Sequence, residues 1–223
     1  GPYLVGRRPG AAGIEVLLSG LRLRVLAETA IAVTGADLSP TLNGQPLPMW
    51  QSLRVRPGDE VAFAQARSGA RAYLAVAGGI DVPLFAGSRA TNVRAFVGGV
   101  EGRALKPGDM LRSFPPSRPA RELEGRRLRP DLLPAFGARW RVRVVLGQQD
   151  DLFLPESIER FLTHDWRLSP TSDRMGCRYI GPPLEFRPRP AYLVEQAGAD
   201  PSNIVDDGNA IGGVINVTTR SAF

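Results

Sequence analysis

Short runs in which apolar side chains alternate with polar or charged ones recur along the chain, and few stretches have the length and period of a helix. Leu21-Arg22-Leu23-Arg24-Val25 has the period of two expected of a half-buried strand. Ile14-Glu15-Val16-Leu17, Ala30-Ile31-Ala32-Val33 and Ala72-Tyr73-Leu74-Ala75-Val76-Ala77 read as further short strands. Asn43-Gly44 is a hairpin turn signal, because both residues accept positive φ. Pro57-Gly58-Asp59 and Pro107-Gly108-Asp109 read as type II turns between strands: proline presets φ at the first central position and glycine supplies positive φ at the second. A second β unit is expected from Arg139-Trp140-Arg141-Val142-Arg143-Val144-Val145-Leu146, with strands at Trp166-Arg167-Leu168 and from Arg174 to Ile180. One helix stands out. Pro155 suits its first position, and Leu154, Ile158, Phe161 and Leu162 share a face that reads as core. Strands at this spacing, without helical crossovers, predict a barrel or sandwich.

The chain has 223 residues, 43% of them hydrophobic, so it can bury a core and is not a disordered protein. Gly 25 and Pro 20 favour short strands and turns over long helices. The proline- and arginine-rich stretch 113–137 lacks periodicity and reads as a linker. The expected division is a first half at 1–112, the linker, and a second half at 138–223. Net charge is +6, but the basic residues are arginines apart from Lys106 and are interspersed with acids, which argues against a nucleic-acid partner. The single cysteine, Cys177, excludes a disulfide framework within the chain, and with His164 as the only histidine a metal cluster built on thiolates or imidazoles is excluded too. No apolar run reaches the ~18 residues of a membrane span. A soluble cytoplasmic protein is the expectation.

Familiar catalytic devices are missing: there is no Gly-x-Ser-x-Gly elbow and no glycine loop followed by Lys-Ser/Thr. The glycine-rich stretch after Ala77 instead carries Ser88, Arg89 and Arg94. Asp173, Arg174 and Arg178 form a second polar set, and Asn203, Asp206 and Asp207 a third. Guanidinium groups bind carboxylates and amide-like groups with bidentate geometry, and a neighbouring aspartate can order them or act as base. The same pattern also fits ion pairs that only hold turns together.

The stretches AYLAVAGGIDVP and GSRATNVRAFVGGVEGRALKPGDML resemble the signature region of the biotin-dependent carboxyltransferase-like family. That family includes allophanate hydrolase subunit 2 or KipA, the C component of 5-oxoprolinase, and the carboxyltransferase region of urea carboxylase. The similarity extends to GIEVLLSGLRLRVLAETAIAVTGADLSPTLNGQPLPMWQSLRVRPGDEVAF, to QQDDLFLPESIERFLTHDWRLSPTSDRMGCRYIGPPLEF and to DPSNIVDDGNAIGG.

The resemblance implies a mainly β protein of two cyclophilin-like β-barrel halves with few short helices. It implies a component, not active alone, of a complex acting on a small amide or lactam of the 5-oxoproline or urea type. A smaller KipI-like subunit is the implied partner, with a third ATP-using or biotin-carrying subunit. On this reading no cofactor binds the chain directly, and carboxybiotin or ATP acts through the partners. Asp173 and Asp206 are the candidate catalytic residues, with Ser88, Arg89, Arg94, Arg174, Arg178 and Asn203 as substrate-binding candidates. The alternative is a non-catalytic regulatory protein that antagonises a KipI-like kinase inhibitor. The family's opening Gln-Asp-x-Gly-Arg type motif and glycine-rich closing region have no counterpart here, which is expected of a chain lacking its ends.

Overall fold

The computed structural model describes residues 3–6, 10–134, 139, 141–147, 150–170, 172 and 176–187. The chain divides into two units, Gly1–Arg139 and Trp140–Phe223, and is mainly β with few short helices.

The first unit contains β1 (Ile14–Leu17), β2 (Arg22–Arg24), β3 (Thr29–Asp37), β4 (Pro40–Leu42), β5 (Gln45–Pro46), β6 (Ser52–Val55), β7 (Glu60–Phe63) and β8 (Ser68–Val76). These make two four-stranded antiparallel sheets, ordered β1-β8-β3-β6 and β2-β7-β4-β5. Ile31 and Val33 of β3, Leu74 of β8 and Val55 of β6 are buried in one core with Val61 and Phe63 of β7. Both sheets therefore face a common interior, which removes their apolar faces from water. The Asn43-Gly44 turn joins β4 to β5 with φ of 52° and 78°, as a hairpin needs.

Pro57-Gly58-Asp59 does something the pattern does not predict. It leads from β6 in one sheet to β7 in the other, so the turn changes sheets instead of closing a hairpin. Asp59 anchors it by accepting from the Arg56 amide at 2.7 Å and from Asn43 Nδ2 at 2.8 Å. Pro107-Gly108-Asp109 repeats the geometry, but the residues flanking it are in no strand.

β3 is buried on both faces. Its second face carries Ala30 and Ala32, which meet Ala75 and Ala77, the helix α1 (Ala120–Leu123), and Leu4 and Val5 in a second buried cluster. Small side chains on this face let the covering segment approach closely. Residues 113–134, expected as a linker, thus include a layer packed on the first unit. Gly125 to Leu128 then runs along the free edge of β6: Ser52 N donates to Arg126 O at 2.8 Å, Gly125 N to Ser52 O at 3.0 Å, and Leu128 N to Trp50 O at 3.0 Å. An edge strand that would expose its backbone is covered.

In the second unit, α2 (Pro155–Thr163) starts with Pro155 at its first position, as the sequence predicts. Phe161 packs on Trp166 with centroids 5.4 Å apart, and buried Ser157 accepts from the Glu185 amide at 2.8 Å. β9 (Arg167–Leu168) pairs with β10 (Tyr179–Ile180). Of the strand expected from Arg174 to Ile180, Tyr179–Ile180 forms β10 while 176–178 is in no strand, and neither is 141–146. Alternation there supplies β propensity, but no ladder partner satisfies the backbone among the described residues.

Candidate functional site

The glycine-rich stretch leaves β8 through Gly78 and Gly79, both with positive φ. A Cβ on Gly78 would overlap the Phe114 carbonyl, so these two chain segments pass in contact. Ile80 N donates to Ala12 O at 3.0 Å and Asp81 N to Arg112 O at 2.8 Å, which pins the base of a loop running from Val82 to Leu111. Val82 itself is buried.

Ser88 closes a tight turn with Phe85 through reciprocal backbone bonds of 2.8 and 3.0 Å. Its hydroxyl accepts from the Ala90 amide at 3.1 Å. Arg89 is half-buried: Nη1 donates to the Val82 carbonyl and the guanidinium lies 4.9 Å from the Phe114 ring centroid. That contact supports the cation and aims it. Arg94 is exposed in the next turn, which Asn92 and Val97 close by exchanging backbone bonds of 2.9 and 3.2 Å. Ser88, Arg89 and Arg94 are thus brought onto one loop.

The loop is held from below. A Cβ on Gly98 would overlap the Ala90 carbonyl, and one on Gly102 the Phe96 carbonyl. Arg103 makes two bonds to Asp109, at 2.8 and 3.0 Å, and a third from Nε to Glu101 at 2.9 Å. Asp109 also accepts from the Lys106 amide at 2.9 Å. The Arg103 guanidinium, then the Lys106 amide, hold the Asp109 carboxyl at about 2, while Asp109 raises Arg103 above the ordinary arginine value. The sequence marks Arg103 and the Pro-Gly-Asp turn separately; their pairing comes only from the fold. Five large apolar side chains on the same loop face outward: Leu84, Phe85, Val93, Phe96 and Met110, with Phe96 77% exposed.

Arg178 belongs to the second unit and is exposed. Its amide donates to Ser172 Oγ at 2.9 Å, and its carbonyl accepts from Ser169 N at 2.7 Å. Cys177 is exposed and free, and burial is the main cause that raises the hydroxyl pKa of Tyr179 nearby. Asp173, Arg174, Asn203 and Asp206 lie outside the described residues. Among the described residues no set of three or more His, Cys, Asp or Glu could hold a metal, and no helix is long and apolar enough to cross a membrane.

The family model for the carboxyltransferase domain, subdomains A and B, matches residues 1–222. The chain belongs to this family. It is 34% identical over 220 residues to the urea amidolyase of Lachancea kluyveri, covering 95% of this chain and 12% of that protein. It is 34% identical over 178 residues to the C component of the Escherichia coli 5-oxoprolinase, covering 80% of this chain and 55% of that one. A solved structure of the Kluyveromyces lactis urea carboxylase superposes with a TM-score of 0.74 at 35% identity, over 82% of this chain and 17% of that chain. The chain therefore spans a small part of the urea enzymes and a little over half of the 5-oxoprolinase component.

Proposed function

We propose that this carboxyltransferase domain serves, in its full-length protein, as the component that engages a small amide or lactam of the 5-oxoproline or urea type, working with a smaller KipI-like subunit. The observation that carries the reading is the loop from Val82 to Leu111. It displays Ser88, Arg89 and Arg94 beside exposed Leu84, Phe85, Val93, Phe96 and Met110, on a base fixed by Arg103 and Asp109. Outward apolar side chains on a braced loop suit a protein partner, because such groups lose contact with water when a second surface covers them. Arg89 is aimed by Phe114 and the Val82 carbonyl, and among the described residues its Nε and Nη2 make no hydrogen bond, so donors remain for a carbonyl or carboxylate.

On this reading Ser88, Arg89 and Arg94 of the loop and Arg174, Arg178 and Asn203 of the second unit are the substrate-binding residues, with Arg89 and Arg178 orienting a carbonyl or carboxylate. Asp173 or Asp206 orders an arginine or accepts a proton. An activated carboxyl group or phosphoryl energy, where the reaction needs it, reaches the substrate through a biotin-carrying or ATP-using partner.

The test uses the full-length protein, with its co-purified partners, assayed for ATP-dependent turnover of 5-oxoproline and of urea. Turnover of either compound, lowered at least tenfold by Arg89→Ala and by Arg178→Ala in folded protein, is the expected result. Full activity in both variants refutes the arginine assignments. Capture of a KipI-like subunit with no turnover of any amide supports a regulatory protein instead.

A further inference from the structure

We propose that the cavity bounded by Tyr3, Gly6, Arg118, Glu122 and Arg126 is a binding site for a small oxyanion, phosphate or carboxylate, that also carries a hydrogen-bond donor. The cavity has a volume of about 490 Å³, room for a ligand of metabolite size. It shares no residue with the loop from Val82 to Leu111, and the proposal does not depend on the function assigned to that loop.

The walls are fixed through buried contacts although the polar groups are exposed. Leu4 and Val5 are buried against Leu123, which holds the turn ending at Gly6 on the surface of α1. Gly6 has φ of 63°, and a Cβ there would come within 2.9 Å of Leu123 Cδ2, so the chain approaches as only glycine permits. Ser117 Oγ donates to the Gly6 carbonyl at 2.9 Å and ties the turn to the segment carrying Arg118. On the far wall the Arg126 backbone is clamped to buried Ser52, whose hydroxyl accepts from the Arg126 amide at 3.0 Å. The two guanidiniums therefore stand on backbone that is set before any ligand arrives, which lowers the ordering cost of binding.

Charge gives the ligand class. Some arginines of this unit are neutralised: Arg54 pairs with Glu28 at 2.6 Å and Arg129 with Asp131 at 2.7 Å. Among the described residues Arg118 and Arg126 make no ion pair, and Glu122, in the same cavity, pairs with neither. Two unpaired cations sharing one concave space attract an anion, and guanidinium forks match phosphate and carboxylate oxygens. Glu122 is acceptor-only when ionised, so it rejects a bare anion unless the ligand brings a hydroxyl or amine to donate to it.

The experiment is calorimetric titration of the whole chain with inorganic phosphate and, separately, with lactate, at constant ionic strength with chloride as the reference. Saturable binding of one probe, weakened about tenfold or more in Arg118→Gln and in Arg126→Gln and retained in Arg129→Gln, is expected. Phosphate alone binding identifies a phosphate ligand, and lactate alone a hydroxycarboxylate. The exchanged side chains are exposed, so unliganded melting temperatures should match the parent and exclude misfolding as the cause. Glu122→Gln should shift preference toward anions without a donor. Neither probe binding above chloride, or binding unchanged in the Arg118→Gln, Arg126→Gln double variant, overturns the proposal.

Discussion

Ser52→Ala is the sharpest test of how the first unit is closed. Ser52 is fully buried on β6, and its hydroxyl donates to the Leu123 carbonyl while accepting from the Arg126 amide at 3.0 Å. Alanine keeps the backbone bonds of Ser52 to Arg126 and Gly125, so the variant isolates the hydroxyl. Two hydrogen bonds are lost, each worth about 1 kcal/mol net, and two backbone groups are left dry, which adds about 1–2 kcal/mol if water cannot enter. The expected cost is about 3 kcal/mol, or a fall in Tm of about 6–12 °C for a chain of this size. Differential scanning of Ser52→Ala should be set against Ser39→Ala, whose hydroxyl donates to the Gln65 carbonyl at an exposed site. Hydrogen exchange at the Arg126 amide should speed up in the first variant alone. Equal, small losses in the two variants would show that the clamp does not hold the covering segment, and would remove the rigid far wall of the cavity.

Leu123→Ala should cost about 2–5 kcal/mol by urea denaturation, because Leu123 is fully buried between the β3/β8 face and the turn at Leu4 and Val5; a loss under about 1 kcal/mol would mean that this layer is not packed as described. Asp109→Asn should show a specific pH dependence. The carboxyl is held at about 2 in the folded chain against an ordinary 3.8, so its contribution is complete above about pH 4 and disappears as pH falls toward 2. The Tm gap between parent and variant should be constant from about pH 5 to 7 and close between about pH 4 and 2. A gap that does not change with pH would contradict the pairing with Arg103.

Much of the first unit is legible in the chain because its signals are local. Short alternating or apolar runs place β1, β2, β3 and β8 within a few residues, and Asn43-Gly44 fixes a hairpin by backbone conformation alone. The covering layer is readable only in part. Ala30-Ile31-Ala32-Val33 is apolar on both faces with alanine on one, which signals a strand covered closely from behind, but nothing local says by what. The answer comes from Ala120 and Leu123, buried in a stretch whose prolines and arginines look like a connector. Composition reports the average environment of such a segment, whereas two inserted side chains decide where it lies.

The roles of the arginines are the least legible, and the reason is geometric. Arg89, Arg103, Arg118 and Arg126 are the same residue type in similar glycine- and proline-rich contexts, and each ends in a different electrostatic setting. Arg103 is consumed by Asp109 and Glu101, so it braces the loop and has little charge to offer a ligand. Arg89 spends one nitrogen on the Val82 carbonyl and lies against Phe114, which leaves it aimed and still able to donate. Among the described residues Arg118 and Arg126 meet no carboxylate at ion-pair distance, although Glu122 shares their cavity. Whether an arginine is a brace, a pointer or an anion receptor depends on what stands within about 4 Å of its guanidinium. The chain's pairing decides that distance: Asp109 is six residues from Arg103, while the Ser52 that fixes Arg126 is seventy-four residues away. The first is made across a single turn; the second required the sheet edge that joins them.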